Sequence, residues 1–249
     1  MSLIQITDRM WYLPACEEND RPVLGYIRGD RYALQIDAGA SPAHGEEFSR
    51  ELKRLLLPAP DFAVLTHWHW DHTFGLCGLH CPTIACEETR AILEKVSHWQ
   101  WTPQAMAKRL ETGEEIPFCD EHIRVEYDNP GTIRVTLPEI TFQTKMAIDL
   151  GGITAQILHM PATHSPDCTA VLLPEERFIF LGDAPCGDFY GRNGGYDLKA
   201  LQEMMAFLRE IPADQCCLGH GEPETISSLL QELQEEILIP AAQNGEICK

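Results

Sequence analysis

Basic residues are scarce in this chain. Nineteen lysines and arginines stand against 38 aspartates and glutamates, a formal charge of −19. Such a field repels phosphate backbones and anionic lipid surfaces, so neither nucleic acid nor membrane is expected as a partner. A local positive field at bound cations would still draw a small anion. Long apolar runs are missing too, and no stretch approaches the roughly 18 residues that span a bilayer. Met1 to Asp8 has neither the basic start nor the long apolar core of a secretion signal, and the expected location is the cytoplasm. Paired C-x-x-C spacing does not occur: Cys77, Cys81 and Cys86 follow at intervals of four and five. That spacing argues against a ribbon or ferredoxin-type site. The ten cysteines are therefore read as reduced thiols, mostly small buried side chains. No solenoid-length repeat or low-complexity linker divides the sequence.

What is present is ordinary in bulk and informative in pattern. At 249 residues, 44% hydrophobic, the chain can bury a full core as one domain over 1–249. Strand-like segments are Met10–Leu13, Val23–Arg28 and Arg31–Asp37, with Gly29-Asp30 as a hairpin signal, and then Phe62–Leu65. Ser41-Pro42 opens a helix between them. A strand at Thr83–Ala85 leads to helices at Glu87–Val96 and Pro103–Leu110, followed by a polar, proline-bearing connection. Strands return at Ile140–Phe142, Ile153–Leu158, Thr169–Leu173, Phe178–Leu181 and Gln215–Leu218, with helices at Leu198–Leu208 and Thr225–Glu236. Two batches of strands with helices outside predict a layered α/β domain with two sheets. The loose segment at about 94–120 is the candidate lid over a site.

The chemistry is concentrated where strands end. Thr66-His67-Trp68-His69-Trp70-Asp71-His72 follows the apolar run Phe62–Leu65, and places four ligand-type residues within six positions. Imidazole and carboxylate are the usual donors for zinc and similar divalent ions. Thr163-His164-Ser165, Gly182-Asp183 and Gly219-His220-Gly221 each follow another apolar stretch. In an extended segment alternate side chains share a face, so His67, His69 and Asp71 are expected to converge while His72 points elsewhere.

This ordered set closely resembles the metallo-β-lactamase superfamily, from about Tyr12 to Glu222. The resemblance implies a four-layer αββα sandwich with its site along one edge. It implies that His67, His69 and His164 bind one metal, that Asp71, His72 and His220 bind a second, and that Asp183 bridges both. Two divalent ions are implied, zinc first, with iron, manganese or nickel accepting the same donors. A hydroxide held between two such ions attacks carbonyl or phosphoryl centres. The expected reaction is thus hydrolysis of a small-molecule ester, lactone, thioester, amide or phosphoester, with Asp71 also relaying the freed proton. Asp183 stands where true β-lactamases of this fold carry cysteine or serine, so antibiotic cleavage is not expected. Cys186 stands where the lactonases place a tyrosine. Alternatives from other classes are a mononuclear iron oxidoreductase of the persulfide dioxygenase type and a metal-binding protein without turnover. Trp68, Trp99, Trp101, Tyr190 and Arg192 are the candidate substrate contacts, with Asp188 and Phe189 on the same rim. A homodimer is left open.

Overall fold

The computed structural model describes residues 1–238. Its first sheet takes β1 (Ile4–Thr7), β2 (Met10–Leu13), β3 (Leu24–Arg28), β4 (Ala33–Ile36), β5 (Phe62–Val64), β6 (Thr83–Cys86) and β7 (Ile140–Phe142), in that order. Pairing is antiparallel from β1 to β4 and parallel from β4 to β7. The second sheet takes β8 (Lys145–Asp149), β9 (Thr154–His159), β10 (Thr169–Leu173), β11 (Phe178–Gly182), β12 (Gln215–Leu218) and β13 (Glu224–Thr225). There only β11 and β12 run parallel.

Alternation of side chains builds the layers. Along β11, Phe178 and Phe180 enter the core between the sheets, where they meet Ile27, Leu34, Val64, Ile157 and Val171. Ile179 and Leu181 face the other way, onto α6 (Leu198–Glu210) and α7 (Ile226–Leu238) through Leu201, Met204, Leu208, Leu229 and Leu233. Likewise Leu24 and Tyr26 of β3 pack on Phe48 and Leu52 of α1 (Pro42–Arg54), while Ile27 turns inward. Strands buried on both faces read as continuous apolar runs, which is why β10 and β11 are so plain in sequence. The result is the four-layer αββα sandwich.

Helix ends follow their capping chemistry. Ser41 caps α1 by accepting from the His44 amide at 3.2 Å, with Pro42 in the first turn and Lys53 and Arg54 in the last. A short helix α2 (Trp70–Thr73) follows β5, and α3 (Glu87–Val96) follows β6. Thr102 caps α4 (Pro103–Thr112). The connection expected after α4 is instead a helix, α5 (Pro117–Glu126). Pro117 occupies its first turn, where a missing N–H costs nothing, and Ile116, Cys119, Asp120 and Ile123 repeat at helical spacing toward the protein. Three strands also lay outside the sequence reading: β1, β8 and the two-residue β13, whose Thr225 reads in sequence as the start of a helix. β1 and β8 are edge strands, and β8 buries only Met146 and Ile148 partially against the core.

Residues 94–120 thus comprise the end of α3, all of α4 and the start of α5, a helical lobe whose core reaches Trp70 and Phe74 beside α2. Arg21 ties this lobe to the chain's first third. It donates to Glu126 at 2.9 Å and to Glu47 at 2.9 Å, and the Glu126 side chain is only 1% exposed. The turn before Arg21 is thereby fixed beside α5, and both elements line the site.

Candidate metal centre

The donors lie in the segments that follow strand ends. His67 follows β5 within three residues, His164 follows β9, Asp183 follows β11 and His220 follows β12. Gly182 makes the junction possible. It adopts φ 53°, and a Cβ there would lie 2.6 Å from Thr66 Oγ1, so only glycine lets the ends of β5 and β11 approach. The chain becomes helical at Trp70, which changes the grouping expected from alternation. Asp71 and His72, adjacent on α2, point to the same place, and Asp71 does not join His67 and His69.

Two main donor groups result, and His164 and Asp183 also approach Cys186 in a third. His67, His69 and His164 form the first, with ligand atoms all within 4.8 Å of one another. Asp71, His72, Asp183 and His220 form the second by the same measure. In the first, His69 Nδ1 faces His164 Nε2 at 2.9 Å. In the second, Asp71 Oδ2 lies 3.0 Å from His72 Nε2 and 3.1 Å from His220 Nε2. Asp183 stands between them. Its Oδ2 is 3.7 Å from His164 Nε2 and 3.6 Å from His220 Nε2, and its Oδ1 is 3.6 Å from His72 Nε2.

The chemistry of these groups fits cations. Burial, with repulsion from neighbouring imidazoles, drives His67 and His69 well below the ordinary histidine range, so both are neutral donors. Burial opposes charge on Asp71 and Asp183, but His72 and His220 outweigh it and hold both carboxyls well below their usual range. Burial likewise opposes charge on His72 and His220. Asp71, Asp37 and Asp183 nevertheless hold His72 well above its ordinary value, and Asp183 with Asp71 raises His220 to about 9. Protons on those rings stand in for positive charge that the carboxylates require. Among the buried side-chain atoms without a hydrogen-bond partner are His67 Nε2, His72 Nε2 and Asp183 Oδ1, besides others outside the donor groups such as His44 Nε2 and Trp70 Nε1. Each such orphan costs about 1–3 kcal/mol, and bound cations would satisfy His67 Nε2, His72 Nε2 and Asp183 Oδ1.

The sequence profile of the metallo-beta-lactamase superfamily matches residues 23–220, which include all seven donors. The chain belongs to that superfamily. Solved relatives in the superfamily agree in fold. A metallo-beta-lactamase from Pontibacter korlensis covers 95% of this chain and 98% of its own, at TM-score 0.63 and 20% identity. A motif mutant of a Cronobacter sakazakii metallo-beta-lactamase covers 96% and 94%, at TM-score 0.67 and 15% identity. An atrochrysone carboxyl ACP thioesterase of Aspergillus fumigatus is 26% identical over 205 residues, 82% of this chain and 51% of the relative. The chain therefore spans about half the length of that curated protein.

Two residues that sequence reasoning passed over hold the donors in place. Asp37, just after β4, has φ 60°, a region that non-glycine residues seldom occupy. Its carboxylate accepts from the Thr66 amide at 2.7 Å, from Thr66 Oγ1 at 2.9 Å and from His72 Nδ1 at 2.8 Å. This fixes the ring so that Nε2 faces the second group. Asp37→Asn is expected to weaken metal binding at that group by about 10–100-fold, read by competition with a chromophoric chelator. Unchanged affinity would show that His72 needs no such orienter. Asp20 is the other, with Oδ1 3.7 Å from His220 Nδ1. The only sequence signal for either was a carboxylate at the end of a strand or turn.

A cavity of about 330 Å³ opens over the donors, floored by His69, Asp71, His164, Asp183 and His220. Ile116, Phe118, Cys119 and His122 line one bank, Phe189 and Tyr190 another, and Glu17 and Asp20 a third. Of the substrate contacts expected from sequence, Tyr190 lines this cavity, its ring 5.1 Å from that of His69. Trp68 lines a neighbouring recess of about 240 Å³ that shares His69, His164 and Tyr190. Trp99 and Trp101 line neither. The Arg109 guanidinium lies 4.5 and 4.7 Å from their ring centroids, and Trp101 packs edge-on against Phe74 at 5.2 Å, so both belong to the core of the helical lobe. Arg192 turns to Asp197 at 2.8 Å and is absent from the lining as well. The metal groups found among the described residues include none of Cys77, Cys81 and Cys86. No helix of the described residues is long and apolar enough to cross a membrane.

Proposed function

We propose that the chain is a two-metal hydrolase cleaving the ester or thioester bond of a small molecule. The observation that carries this reading is the position of Asp183, 3.6–3.7 Å from donors of both groups beneath one cavity. His67, His69 and His164 would hold one ion, Asp71, His72 and His220 the other, and Asp183 would reach both. Nitrogen and oxygen donors suit zinc, and iron, manganese and nickel accept the same set. When bound, such ions supply Lewis acidity and bring the pKa of water from about 15.7 to about 7.

The side chains account for the rest. Neutral His67 and His69 offer lone pairs without losing protons, while Asp37 and Asp20 hold His72 and His220 in register. Water adds its oxygen to the acyl carbon, the carbon–sulfur or carbon–oxygen bond breaks, and the freed proton passes to the leaving thiol or alcohol. Asp71 faces the cavity and is the carboxylate placed to carry that proton. The Aspergillus relative, named for thioester cleavage, supports a carbonyl substrate over a phosphoester.

Metal analysis of purified protein should find about two zinc-like ions per chain, with hydrolysis lost on chelation and restored by zinc. Loaded protein that cleaves no ester, lactone or thioester would overturn the reading. One iron per chain, with oxygen consumed on a persulfide, would establish the dioxygenase alternative instead. That alternative, one iron on two histidines and an aspartate, leaves the other donors unligated.

A further inference from the structure

The banks of the cavity differ sharply from its floor. Phe118 is 52% exposed and Phe189 is 39% exposed, although side chains of this size are normally hidden. They come from segments some 70 residues apart and face the same opening, with Ile116 and Tyr190 deeper in. Their rings are held by neighbours. His122 stacks on Phe118 with centroids 4.1 Å apart, and Phe189 meets His164 edge-on at 6.3 Å. Below them the Tyr190 hydroxyl donates to the buried Glu115 at 2.8 Å, which fixes that ring as well. Fixed aromatic rings around a small opening recognise an apolar group of aromatic size.

Charge completes the argument. Among the described residues no lysine or arginine lines the cavity, while Glu17 and Asp20 do. Two divalent ions would bring positive charge, which the carboxylates of Asp37, Asp71 and Asp183 beside them offset in large part. No basic side chain is left in the lining to pair with a phosphate or carboxylate on the substrate, and the whole chain adds a field that repels anions.

We infer that Phe118, Phe189 and Ile116 form an acyl pocket, and that the substrate is an uncharged ester or thioester of an aromatic or similarly bulky apolar acid. This rests on the hydrolase reading above. It implies that an acyl group on a polyanionic carrier such as coenzyme A is the wrong form of substrate, and a neutral leaving group the right one.

The test uses matched thioesters on the zinc-loaded protein. Phenylacetyl-N-acetylcysteamine should show kcat/KM at least about tenfold above acetyl-N-acetylcysteamine, and at least about tenfold above phenylacetyl-coenzyme A. Phe118→Ala and Phe189→Ala should each shrink the phenylacetyl-to-acetyl ratio by roughly fivefold or more. Coenzyme A thioesters cleaved as well as neutral ones, or no preference for the larger acyl group, would overturn the inference while leaving the hydrolase reading intact. A second measurement does not depend on turnover: calorimetric binding of S-benzyl-N-acetylcysteamine and S-benzyl-coenzyme A, neither of which can be hydrolysed. Tighter binding of the neutral thioether, weakened in both variants, without hydrolysis of any ester, lactone or thioester would sustain the pocket and sink the hydrolase. Equal or tighter binding of the coenzyme A form, or binding of neither, would sink the pocket.

Discussion

Asp183→Ala is expected to lower hydrolysis by on the order of 10³-fold, or about 4 kcal/mol of transition-state stabilisation, and to leave one metal ion or fewer per chain. The carboxylate is buried and lies within 3.7 Å of His164, His72 and His220. On the proposed reading, removing it takes a ligand from both ions at once. The metal-free protein should feel the loss too. His72 and His220 are held protonated partly by Asp183, so its removal strands buried positive charge at a cost of about 3 kcal/mol. Elemental analysis, kinetics and denaturant unfolding of the same preparation read all three effects. A variant that keeps two ions and near-native turnover would show that Asp183 bridges nothing.

Gly219→Ala should be nearly as damaging although it adds one methyl group and removes no ligand. A Cβ at Gly219 would sit 1.9 Å from Asp183 Oδ1 and 2.9 Å from His72 Cε1. The backbone cannot retreat, because the Gly219 amide donates to the Gly182 carbonyl at 2.9 Å and its carbonyl accepts from the Val23 amide at 2.6 Å. The carboxylate must move instead. Metal sites tolerate displacements of only a few tenths of an ångström, so a loss of at least about 100-fold in activity is expected. Gly221→Ala is the matched control. Its Cβ would meet only Leu218 Cβ at an ordinary 3.7 Å, and activity should stay within about twofold. Equal behaviour of the two variants would refute the crowding.

The donors were legible in sequence because ligand chemistry is local: imidazoles and carboxylates beside turn-forming residues, directly after apolar runs, announce themselves without a fold. The apolar runs of β10 and β11 announced the buried strands in the same way. How the donors divide was less legible. Strict alternation past His69 groups Asp71 with His67, and only the helical turn beginning at Trp70 sends it to the other side. The helix α5 was hidden because Pro117 reads as a breaker, although at a helix start it is neutral, and because Asp120, Glu121 and Arg124 dilute the buried spacing. Asp37 and Asp20 act through distances of 2.8 and 3.7 Å to histidines far away in sequence, which no local pattern encodes. Tryptophan identity, finally, cannot tell a core from a cavity wall. Arg109 decides the matter for Trp99 and Trp101 by stacking over both.

Each donor group draws on both sheets. His69 meets His164 across 95 residues of chain, and Asp71 meets His220 across 149. Ions at these points would act as clasps closing very long loops, and the strength of such a clasp enters folding stability through the logarithm of free metal concentration. A cell short of zinc would then hold fewer folded copies of this chain, as well as fewer active ones, and proteases would set its abundance.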